Sequence, residues 1–188
     1  SHNHFGMMKG SGYELARAFA ALPSSLKRLY LRMNYFDTKE GSGYGFAHAL
    51  AAIQANIEYL DLGCNDLGNL SIDSIQSVFA AIKPSVTELN LYDNNLGKNE
   101  NILNVAFGVI KARLTHLDLS YNDLQSRQFK ALTSIPETVT HLKLNGNHLH
   151  AKNFLELCRS IPKTVTHLEL RSNYLGWLLV ENPSYFKE

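Results

Sequence analysis

Three histidines recur in one local setting: Thr115-His116-Leu117, Thr140-His141-Leu142 and Thr166-His167-Leu168. Three imidazoles are a familiar zinc donor set. Imidazole is also the side chain that changes charge near neutral pH. Cys64 is the one candidate nucleophile, and Gly41-Ser42-Gly43-Tyr44-Gly45 has the composition of a loop that cradles phosphate. The remaining chemistry is that of recognition. Arg28, Tyr30, Arg32, Tyr59, Asp61, Glu88, Asn90, Tyr92, Asp93, His116, Asp118 and Tyr121 all occupy non-leucine positions within or just after strand-like stretches. Tyr and Arg bury large, rigid area and still hydrogen-bond, which suits them to protein interfaces. Carboxylates among them steer a basic partner.

The catalytic readings are weak on inspection. The chain holds no Gly-x-Ser-x-Gly, no phosphate loop, no His-Glu-x-x-His and no cysteine pair at metal spacing. Cys64 has no histidine in its own stretch. A straight row of three histidines does not converge on one ion, so no metal is expected. The threonines before them, with Thr87, form a column expected to bond locally to the loop entering each strand. The glycine-rich run recurs in part as Gly10-Ser11-Gly12-Tyr13, which favours helix-entry geometry, with Ser11 or Ser42 as a cap. The reading is a non-catalytic protein with no cofactor, binding through Tyr, Arg and acidic side chains. A pH-sensitive interface through the histidines is a milder alternative.

What positions these residues is an eleven-residue phrase, Leu-x-x-Leu-x-Leu-x-x-Asn-x-Leu. Its six copies place asparagines at Asn34, Asn65, Asn94, Asn122, Asn147 and Asn173. Every copy keeps the five key positions with only apolar-for-apolar exchange; the first runs Leu26, Leu29, Leu31, Asn34, Phe36. Leu-x-Leu alternates in and out as a short strand. The stretch after each asparagine changes to helical period, as in Tyr44, Ala47, Leu50 and Ile53, or Ile102, Val105, Val109 and Ile110. A unit of strand, turn, helix and return cannot bury its own apolar face, so stacked neighbours must supply the core. Strands sit roughly 4.8 Å apart and helices roughly 8–10 Å apart, so the strand side must be concave. The asparagines are expected to be a structural ladder, each carboxamide pairing with backbone groups at the sharp turn after its strand.

The phrase is the leucine-rich-repeat signature. The expected fold is an α/β solenoid, or horseshoe, with parallel strands on the concave face and helices on the convex face. It has six full repeats and a partial N-terminal one. The expected organisation is a single domain over 1–188: the end of a truncated repeat and its helix at 1–25, six strands with helices at 26–175, and an irregular C-terminal cap at 176–188. Asn3 and Phe5 fall beneath Asn34 and Phe36 at an offset of 31, which suggests that further repeats precede the chain.

Period and helical content resemble ribonuclease-inhibitor-type repeats. The phrases Ser134-Ile-Pro-Glu-Thr-Val-Thr-His-Leu142 and Ser160-Ile-Pro-Lys-Thr-Val-Thr-His-Leu168, with Leu22-Pro-Ser-Ser-Leu-Lys-Arg-Leu29, are similar to the leucine-rich-repeat effectors of intracellular bacterial pathogens, the Legionella type in particular. The resemblance implies a bacterial protein delivered into the host cytosol that binds a host protein, with no catalytic residues to carry over. Alternatives are the substrate-recognition segment of a larger enzyme such as a ubiquitin ligase, or a direct enzyme inhibitor. With net charge +1 and signs interspersed, nucleic acid is not the expected partner. The acidic centre favours a protein with a basic surface. No apolar run is long enough to insert into a membrane, and a monomer is expected. Cys64 and Cys158 fall on opposite faces, out of disulfide reach, which suits a reducing compartment.

Overall fold

A computed structural model describes residues 12–36, 42–125 and 129–177. The Leu-x-Leu alternation gives six strands: β1 Arg28–Tyr30, β2 Tyr59–Asp61, β3 Glu88–Asn90, β4 His116–Asp118, β5 His141–Lys143 and β6 His167–Glu169. They pair in parallel and in sequence order, β1-β2-β3-β4-β5-β6. The register puts Leu29, Leu60, Leu89, Leu117, Leu142 and Leu168 in one column. The middle members are buried; Leu168 in the last strand is partly uncovered.

Between strands run α1 Tyr13–Ala20, α2 Ser42–Ala52, α3 Ile72–Ala80, α4 Ile102–Val109, α5 Phe129–Leu132 and α6 Phe154–Ser160. Sheet on one side and helices on the other enclose one continuous core. The solenoid expected from the repeat is therefore the observed architecture. The helical stripes differ in detail. Tyr44 points outward, and α2 buries Phe46, Ala47, Ala49 and Leu50. In α4 the deepest side chains are Ile102, Leu103, Ala106 and Phe107, with Val105, Val109 and Ile110 at the margin. Among the described residues helix length falls from 11 in α2 to 9 in α3 and 8 in α4, in step with the shortening of the repeats.

Proline sets the return to the strand. The N–H groups of Leu26, Val139 and Val165 donate to the carbonyls of Pro23, Pro136 and Pro162, closing the same turn three times. Ser71 caps α3, its Oγ accepting the Ser74 N–H at 3.2 Å. Ser11, the side chain of Ser42, the N-terminal partial repeat with Asn3 and Phe5, and the cap residues from 178 onward lie outside the described residues. Among the described residues no helix is long and apolar enough to cross a membrane.

The asparagine ladder is continuous. Asn122 shows the pattern. Its Oδ1 accepts N–H bonds from Asn94 and Leu96 of the preceding repeat, at 3.0 and 3.2 Å. Its Nδ2 donates backward to Leu91 O and locally to Leu119 O and Ser120 O. The same backbone-to-carboxamide step links Asn34 to Asn65, Asn65 to Asn94, Asn122 to Asn147 and Asn147 to Asn173. The residues on either side of the first five asparagines take left-handed backbone, for example Asp93 (φ 53) and Asn95 (φ 57), or Tyr121 (φ 58) and Asp123 (φ 54); beside Asn173 only Ser172 does. Left-handed backbone is costly for most side chains and least so for Asn and Asp. Asp66, Asp93, Asn95 and Asp123 thus have a conformational reason for their type.

A concave face of stacked planar side chains

Each strand sends two side chains to the concave face, and parallel register lines them into columns. One column runs Arg28, Tyr59, Glu88, His116, His141, His167; the other runs Tyr30, Asp61, Asn90, Asp118, Lys143, Glu169. In the first column the side chains lie flat on one another. The Arg28 guanidinium sits 4.1 Å over the Tyr59 ring and reaches Glu88 at 3.7 Å. The three histidine rings stack with centroids 4.1 and 4.0 Å apart, nearly parallel at 16° and 7°.

That geometry does not suit a shared metal ion. Rings stacked face to face hold their nitrogens in parallel planes, which do not meet at one tetrahedral ion. Among the described residues no group of three His, Cys, Asp or Glu could hold a metal ion. Each Nδ1 lies 2.9–3.0 Å from the Oγ1 of its preceding threonine. The threonines correct the expectation of local bonding. Thr115, Thr140 and Thr166 Oγ1 donate across the sheet to the carbonyls of Thr87, Thr115 and Thr140, at 3.2–3.3 Å. Each threonine hydroxyl thus lies between a carbonyl across the sheet and its own histidine Nδ1, and the ring tautomer sets which of the two, nitrogen or oxygen, donates.

Partial burial between its neighbours, then the proximity of His116 and His167, pushes the His141 imidazole below its ordinary value. The folded state therefore favours neutral His141. Its contribution is complete above the unfolded imidazole range and is lost as pH falls through the lower folded value. A proton NMR titration is expected to show His141 charging below the normal histidine range, and His116→Gln is expected to move it back upward. A normal midpoint in the unaltered chain would contradict the stack.

The second column is partly structural. Asp61 departs from the expected open acidic position: it is 6% exposed, and its Oδ1 accepts the Gly63 N–H at 2.9 Å. Asn90 and Asp118 hold the Tyr92 and Ser120 N–H groups in the same way while remaining half-exposed. The carboxyl or carboxamide closes the turn leaving the strand. Tyr30 stands 59% exposed and tilts onto Tyr59 at 5.1 Å, its hydroxyl accepting Arg28 Nε–H.

A third row follows the strands. Arg32 lies 4.6 Å over Tyr92, and Tyr92 packs 5.0 Å from Tyr121. Cys64 sits beneath, its thiol donating to Asp93 Oδ2 at 3.4 Å. Burial first, then Asp93, pushes this thiol up against the opposing pull of Arg32, so it stays protonated near neutral pH and is a poor nucleophile. Beyond Tyr121 the row opens into a cleft lined by Asp93, Tyr121, Asp123, Gly146, His148 and Tyr174, among others. Gly146 is the residue that single-site reasoning missed. Where the other repeats carry Met33, Cys64, Asp93, Tyr121 and Ser172, this one has no side chain. Aligning the repeats by their asparagines exposes that gap.

The leucine-rich-repeat family model matches residues 54–75 and 113–127. No curated protein matches the sequence. Among solved structures, the leucine-rich-repeat-containing protein LegL7 from Legionella pneumophila is similar, at 30% identity over 90% of this chain and with a TM-score of 0.77. The chain spans 54% of the length of that protein.

Proposed function

We propose that this chain, a leucine-rich-repeat protein, is a scaffold that binds another protein across its concave face. The partner in this reading is a host protein with a basic surface, met after secretion of a bacterial effector into a eukaryotic cell. The observation that carries the reading is the layer of planar side chains on the sheet, with Tyr30 and Tyr121 still 59% and 45% exposed at its surface. Stacked Arg and Tyr residues are held in place before a partner arrives, so little side-chain freedom is lost on contact. The similarity to a Legionella pneumophila repeat protein and the helix-Pro-strand phrases support the effector part.

Affinity capture from eukaryotic lysate tests it, using the unaltered chain and a Tyr30→Ser/Tyr121→Asn variant. Asparagine at position 121 tolerates the left-handed backbone found there. A protein retained by the first and lost by the second is the expected result. Equal retention by a variant of unchanged melting temperature moves the interface off the concave face.

A further inference from the structure

The concave face already binds two arginines of its own chain on tyrosine rings. Arg28 and Arg32 each cover a tyrosine, at 4.1 and 4.6 Å, and those rings belong to successive repeats. The next ring in the series is Tyr121. It tilts against Tyr92 at 47°, its Cδ1, Cε1 and Cζ lie over the bare backbone of Gly146, and it remains 45% exposed. A Cβ at Gly146 would stand 2.7 Å from the Tyr121 ring, and its φ of +61° also suits glycine. Past Gly146 come His148 and Tyr174, stacked at 5.6 Å. The cleft they line has a volume of about 490 Å³.

The lining is aromatic and acidic. Tyr121 and Tyr174 are each nearly half exposed to it, and Asp93 and Asp123 are its carboxylates. Asp123 already receives His148 Nδ1 and Gln125 Nε2, both at 2.8 Å, which fixes its direction. Among the described residues no Lys or Arg lines the cleft. Among the described residues no guanidinium lies over Tyr121 or Tyr174, although two upstream rings carry one.

We propose that this cleft is an arginine-binding site, receiving a guanidinium side chain of the partner protein. The proposal rests on the concave-face reading above. A guanidinium is planar, so it stacks on a tyrosine as Arg28 and Arg32 do, and it can present a fork to Asp93 at the same time. An ammonium satisfies the carboxylate but not the stacking geometry. An anionic or purely apolar side chain meets two carboxylates there.

The probe is N-acetyl-Gly-Arg-Gly-amide, titrated into the ¹⁵N-labelled chain alongside the same tripeptide with citrulline, which keeps the shape and removes the charge. The arginine probe is expected to shift the Gly146 and Ser172 amides saturably, and the citrulline probe to leave them in place. Asp93→Asn, compatible with φ 53, is expected to weaken the arginine probe about tenfold at unchanged melting temperature. Equal shifts from both probes, shifts that bypass Gly146, or no shift at millimolar probe would each overturn the assignment. The two readings fail separately. Capture that survives the tyrosine changes removes the concave-face reading, whereas an unmoved Gly146 amide removes the arginine site and leaves that reading intact.

Discussion

Asn122→Ala is expected to lower the unfolding free energy by about 3–5 kcal/mol. The side chain is fully buried, and five bonds end on it. Two are donated by the Asn94 and Leu96 N–H groups of the preceding repeat; three run to the carbonyls of Leu91, Leu119 and Ser120. Alanine orphans the Asn94 and Leu96 N–H groups, at about 1–3 kcal/mol each, whereas the Leu91, Leu119 and Ser120 carbonyls keep Asn94 Nδ2, Asn147 Nδ2 and the Asp93 N–H as donors. The two orphans set the estimate, its upper end trimmed by local relaxation. Asn122→Asp separates the two halves of the role, since it keeps an acceptor and loses the donor. Urea unfolding monitored by circular dichroism gives both values. A loss below about 1 kcal/mol for the alanine variant would mean that the ladder follows the fold rather than holding it.

Gly97→Ala is the second large expected effect, at about 3 kcal/mol. A Cβ at Gly97 would lie 2.0 Å from the Asp123 carbonyl oxygen and 2.8 Å from that of Asn122. The obstacle is backbone of the next repeat, and Gly97 N–H itself donates to Asn122 O at 2.8 Å. Neither partner can turn aside without breaking the stack. Gly68 meets Asn95 in the same manner one repeat earlier. Gly108, inside α4, is the comparison: nothing lies within 4 Å of its added methyl. Gly108→Ala is expected to raise stability by roughly 0.5–1 kcal/mol, because alanine loses less freedom in a helix. If the two alanine variants melt together, close repeat-to-repeat approach is not what selects glycine at position 97.

The periodic features were legible in the sequence. Six copies of one phrase specify strand order, the inward leucines and the buried asparagines, because a solenoid converts linear period into spatial neighbourhood. The columns of the concave face follow from the same register. What period cannot show is how a side chain lies within its column. Asp61, Asp118 and Glu88 are all acidic at equivalent or neighbouring positions, yet Asp61 turns down onto Gly63 while Glu88 pairs with the Arg28 guanidinium at 3.7 Å. Residue type and period put the threonines in their column but do not give their bonds, since their reach across the sheet depends on strand spacing. The glycines at 68 and 97 carry no periodic signal beyond their own recurrence. Their reason lies in a contact made by a residue some 26 or more positions away.

The ladder also has a direction. At every step the carboxamide comes from the later repeat and the backbone N–H groups it satisfies come from the earlier one. A ribosome releases the chain from its N-terminus, so no repeat is complete when its own last residue emerges. It waits for the next asparagine, 25 to 31 residues behind. At about 5–20 residues per second that is a delay of roughly one to six seconds, during which the newest turn has only water for a partner. Growth of this molecule is thus a matter of each repeat finishing its predecessor, with a single unfinished layer travelling along the nascent chain.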